Sequence, residues 1–121
     1  MSQRDSDLAP LPNVISVAFG YAVYDDHPRQ VPVNGTIVTY TDAVEIFIET
    51  DAAIQARDQA PVLYVGTVPI TEGRALSETL YAFVVYDYQN LPVGGVLSLR
   101  WNQPGGEEII TPFTYAAPPL A

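Results

Sequence analysis

The chain contains no cysteine and no lysine, one histidine, one tryptophan, and a single methionine at position 1. Without cysteine there is no disulfide, no thiolate metal site and no cysteine nucleophile, and the redox compartment is left open. No run approaches the ~18 apolar residues of a membrane-spanning helix. Met1 to Asp7 is polar and lacks the apolar stretch of a secretory signal. Positive charge is scarce: five arginines stand against fourteen acidic residues, for a formal net charge of −9. The resulting pI near 4.1 argues against nucleic acid and anionic membranes, which need a basic footprint. Charged residues make up only 16% of the chain, well under the usual ~25%, so the surface has much uncharged area. Such area is often covered by partners.

With 121 residues, the chain has the length of one domain, and 48% apolar residues are enough for a core. Residues 1–12 read as an extended N-terminal arm, because Leu8-Ala9-Pro10-Leu11-Pro12 favours a polyproline conformation. Residues 116–121, Ala-Ala-Pro-Pro-Leu-Ala, form a second Pro-rich arm at the far end. Between them, residues 13–115 are dominated by period-two patterning. Ile15, Val17, Phe19, Tyr21 and Val23 alternate with Ser16, Ala18, Gly20 and Ala22, giving a strand with one bulky and one small face. Asn34-Gly35 between apolar runs is a strong hairpin signal. Further strands are expected at 44–49, 62–68, 80–86, 96–101 and 107–115. The segment 80–86 is apolar on both faces and belongs at the centre of a sheet. Pro112 puts the last strand at an edge or a bulge. Residues 51–60 have helix propensity and are stopped by Pro61, which allows one short helix there. Residues 71–78 read as a long connection.

About seven strands with at most one short helix predict an all-β, single-domain β-sandwich, immunoglobulin-like or a small barrel. The Leu-Pro-Val-Gly turn at 91–94, followed by a strand ending in Trp101, resembles a hairpin of immunoglobulin-like accessory modules. The resemblance covers about a fifth of the chain. It implies the sandwich and carries over no binding residue.

No constellation names a chemistry. His27 lies in Asp25-Asp26-His27-Pro28, a turn, with no second histidine and no nucleophile motif beside it. Glu45 and Glu49 share a strand face about 13 Å apart with Phe47 between them, too far for a glycosidase pair. Glu107 and Glu108 are adjacent and point to opposite faces. Asp25-Asp26 is too sparse for calcium, and Asn34-Gly35-Thr36 reads as a hairpin turn before a glycosylation acceptor. No enzyme activity, metal or cofactor is expected.

Eight tyrosines are many for this length, and tyrosine favours interfaces. Tyr24, Tyr64, Tyr88 and Tyr115 lie near strand ends. Together with Leu8, Pro10, Leu11, Pro12, Pro118, Pro119 and Leu120 of the arms they form the candidate interface set. The leading expectation is a structural subunit of a larger assembly. At the level of type, the chain resembles small β-sandwich decoration (cement) proteins of tailed-phage capsids. That resemblance implies a virion location, a homo-oligomer with a trimer favoured, and a capsid protein as partner. The alternative is an immunoglobulin-like module that binds glycan or peptide through exposed tyrosines and the loops at 69–79 and 89–95.

Overall fold

Alternation of side chains along extended backbone gives two packed sheets. The structure, a computed structural model, describes residues 12–53, 61–100 and 108–116. Among these, the first sheet contains β1 (Val14–Val23), β4 (Asp42–Thr50), β8 (Leu80–Val85) and β7 (Gly73–Ser77), in the order β1-β4-β8-β7. The second contains β10 (Glu108–Thr114), β9 (Val96–Arg100), β5 (Val62–Val65) and β6 (Val68–Ile70), in the order β10-β9-β5-β6. A separate hairpin pairs β2 (Arg29–Val33) with β3 (Thr36–Tyr40). All described pairings are antiparallel.

With the hairpin set aside as an insertion between the first two long strands, the sheets read A-B-E-D and G-F-C-C′. That is the strand order of immunoglobulin-type sandwiches. The fold is therefore the expected all-β sandwich, with ten described strands instead of about seven. Two of the additional strands come from 62–68 and 73–77. The run 62–68 is two strands, because Gly66 takes a positive φ of 62° and turns the chain between Val65 and Val68. Residues 73–77 form edge strand β7 and are not a loop. Gly73 is required there, because a Cβ would stand 2.5 Å from the Phe83 ring. Other expectations hold. Asn34 and Gly35 have φ of 51° and 80°, the pattern of a type I′ hairpin turn. β8 is an internal strand, and β10 is an edge strand whose register shifts between Ile110 and Thr114, around Pro112. Asp51 and Ala52 form a bend, and the rest of the expected helix, 54–60, lies outside the described residues. No described helix is long and apolar enough to cross a membrane.

The core lies between the sheets. Val44, Ile46 and Ile48 of β4 and Phe83 and Val85 of β8 meet Leu63, Val65, Leu97 and Leu99 from the other sheet. Each such side chain, fully buried, contributes about 1.5–3 kcal/mol before entropy is counted. Val17, Phe19 and Tyr21 close the β1 side, where the Phe19 ring meets Tyr115 edge-on at 5.4 Å. A register shift between Val14 and Ser16 turns Ile15 out of the bulky face, leaving it 52% exposed.

Candidate functional site

The inserted hairpin decides where a binding site can form. β2 and β3 pair with neither sheet, so side chains must hold them. Arg29 does this twice. Its guanidinium stands 5.3 Å from the Tyr86 ring centroid, and its Nη1 lies 3.4 Å from Glu72 Oε1. The Tyr40 hydroxyl donates to Asp87 Oδ1 at 3.1 Å. These contacts tie the hairpin to the β6–β7 connection and to the segment after β8. There a single 3-10 turn, Tyr88–Asn90, redirects the chain towards β9.

Under the hairpin lies an open groove of about 240 Å³. Its apolar lining is Val31 from β2, Val68, Pro69 and Ile70 from β6, Val84 and Val85 from β8, and Leu91. Glu72, Tyr86, Asp87 and Asn90 supply polar groups along its rim. Tyr24 leans on Tyr86 at 6.1 Å between centroids. Burial holds the Tyr24 and Tyr86 hydroxyls above the usual tyrosine value, with Glu45 adding to the first and Glu72 to the second. Such hydroxyls stay protonated at neutral pH and can donate as well as accept. An apolar floor with a few polar groups at the rim suits a ligand that is mostly apolar.

Beside the groove, three tyrosines converge on two carboxylates. The Tyr21 hydroxyl donates to Asp42 Oδ2, and the Tyr88 hydroxyl donates to the same oxygen at 2.8 Å. The Tyr21 and Tyr88 rings meet edge-on at 6.0 Å. The Tyr88 hydroxyl is held far above its ordinary value by its hydrogen bond with Tyr21, then by burial and by Asp42. The Asp42 hydrogen bond also raises Tyr21. The three hydroxyl protons all go to carboxylates of the same molecule, so the cluster braces the end of the sandwich.

The expected interface residues are thus dispersed. Tyr24 flanks the groove. Tyr64 lies on the outer face of the second sheet, 4.2 Å beneath the Arg100 guanidinium, which is also paired with Glu108. Tyr88 serves the internal cluster. Tyr115 is 2% exposed and belongs to the core, a correction to its expected surface position. Its backbone pairs with Gly94 and Gly95, which draws the end of β10 inward. Pro12 is also buried. Leu8, Pro10, Leu11, Pro118, Pro119 and Leu120 lie outside the described residues. Asp25, Asp26 and His27 sit in an exposed turn, and Glu45 and Glu49 flank Phe47 on the outer face of the first sheet. Among the described residues no group of three or more His, Asp or Glu side chains is placed to hold a metal. The groove itself was half legible. Of the segments 69–79 and 89–95, expected as loops, residues 69–72 and 90–91 meet there. The contribution of Val31 and Arg29 had no sequence signal, because it depends on how the hairpin folds back. No protein-family model matches the chain, and no curated protein or solved structure is significantly similar to it.

Proposed function

We propose that the protein is a non-enzymatic structural subunit of a larger assembly, of the kind that decorates and stabilises a virion capsid. The supporting observation is the outer face of the first sheet. Sandwich strands ordinarily alternate apolar-in with polar-out. Here β1 turns Ser16, Ala18, Gly20 and Ala22 outward, and β8 turns out Leu80 and Val84, while Ala82 on the same side is fully buried. Phe47 of β4 lies between them, so close to β1 that a Cβ on Gly20 would stand 3.3 Å from its ring. Among the described residues, Glu45, Glu49, Glu72 and Arg74 bring charge to this face. Small side chains on the outside of a sheet allow close approach of another surface, and burial there contributes at ~25 cal/mol per Å² before association costs.

The test is the solution mass of the full chain by light scattering across a concentration series, with Ala18→Arg as comparison. Ala18 is exposed, so the variant should fold. A trimer or larger species that Ala18→Arg dissociates is the expected result. A monomer at every concentration rules out self-assembly through this face.

The groove favours a second reading, an immunoglobulin-like module that binds a glycan or peptide. Saturable binding of such a ligand by a monomer, lost on Val31→Asp, would establish it.

A further inference from the structure

We propose that the groove of one copy receives the Leu8-Ala9-Pro10-Leu11 segment of another, joining copies head to tail. This rests on the assembly reading above and names the contact that makes it directional.

β1 runs from Val14, opposite Thr50, to Val23, opposite Asp42. The groove belongs to the Asp42 end, because Val84 and Val85 sit opposite Glu45 and Val44 and the lining continues to Leu91. The arm enters the sandwich at the other end, where the Asn13 backbone N–H donates to Asp51 Oδ1 at 3.0 Å. From Asn13 to the level of Glu45 is about 23 Å along β1 at ~3.3 Å per residue, and the groove lies two strands further across. Leu8 is five residues from Asn13 and reaches at most about 18 Å. The segment therefore cannot enter its own groove, whatever precedes it in the chain. A second copy can supply it.

The chemistry matches. The groove floor is aliphatic, with Val31, Val68, Ile70 and Leu91, and a tyrosine stands at its rim. A Leu-Ala-Pro-Leu segment is apolar and, through its proline, already biased to the extended polyproline form that aromatic-edged grooves accept. The groove side carries charge of both signs, with Glu72 and Asp87 at the rim beside the arginines. Asp5 and Asp7 immediately precede Leu8 in a chain of net charge −9 with five arginines. Two of those arginines, Arg29 and Arg74, stand on the groove side of the molecule. Arg29 lies against Tyr86 and Glu72, and Arg74 lies close enough to lower the Tyr24 hydroxyl against the effect of burial. An arm that leaves one end and docks at the other end of an identical copy makes a heterologous contact. Such contacts propagate into rings or open filaments, in contrast to two-fold dimers.

The experiment uses the full chain and a full-length variant with Leu8→Ser and Leu11→Ser. Light scattering compares their masses over a concentration series. A synthetic peptide of residues 4–12 is then titrated into the isotope-labelled variant, with amide shifts read by NMR. The expected result has two parts. Mass growth present in the parent falls at least tenfold in apparent affinity in the variant. The peptide shifts amides around Val31, Val68, Ile70 and Leu91, and Val31→Asp abolishes those shifts. Shifts elsewhere, or none, overturn the inference, as does association that is unchanged in the variant. Association lost with Ala18→Arg but kept in the arm variant overturns the head-to-tail contact and leaves the assembly reading standing.

Discussion

Asp42 joins the Tyr21 and Tyr88 hydroxyls. One of its oxygens accepts from both Tyr21 and Tyr88, and both hydroxyls are held above the ordinary tyrosine value of 10.0. In the unfolded chain these tyrosines ionise near 10.0; in the folded chain they hold their protons to higher pH. The stability they contribute is therefore complete below about pH 10 and is lost as pH rises from there through the folded values. Asp42→Asn removes the carboxylate and keeps the side-chain shape. In the variant, tyrosinate absorbance should rise at lower pH than in the parent, and alkaline destabilisation should start less abruptly. Superimposable titration curves for the two proteins would mean that Asp42 does not control these hydroxyls.

At the scale of elements, the least self-sufficient unit is the β2–β3 hairpin. A two-stranded hairpin is marginal on its own, and this one is held by Arg29, Tyr40 and its turn. Gly35→Ala places a Cβ at φ +80°, which costs about 1 kcal/mol or a little more. We expect amide exchange across 29–40 to quicken several-fold while β4 and β8 keep their protection. Uniform loss of protection across the sandwich would show that the hairpin is integral to the core. The same element shows what a sequence can carry. Asn34-Gly35 encodes its turn locally, as Pro112 encodes an edge, so both were legible. β7 was not, because Gly73-Arg-Ala-Leu-Ser is exposed throughout and its glycine answers to Phe83, a residue distant in sequence. The Gly66 turn was hidden inside a β-branched run, where a lone glycine reads as strand. The candidate site fared similarly. The loops that meet at the groove were visible, whereas Arg29 over Tyr86 depends on tertiary approach. The small face of β1 was visible too, but only the packing shows that it turns away from the core.

For the whole molecule, the net charge sets how association responds to salt. Each copy carries −9. Two such bodies in contact, with centres about 35 Å apart for this length, repel by roughly 10 kcal/mol in unscreened water. At ~0.15 M salt the Debye length is about 8 Å, and most of that repulsion disappears. The attractive contacts behave differently. Alanine, glycine and phenylalanine on the first sheet's outer face lose nothing to screening. Exposed pairs between Asp5 or Asp7 and an arginine contribute only about 0–1 kcal/mol each, and salt weakens them. The long-range repulsion is the larger quantity, so it decides the sign. Association should strengthen by at least an order of magnitude as NaCl rises from about 10 to 150 mM, where the Debye length shortens from ~30 to ~8 Å. Sedimentation velocity at matched protein concentration measures it. Association that weakens over the same range would mean that opposite charges hold the copies together and that the apolar face contributes little.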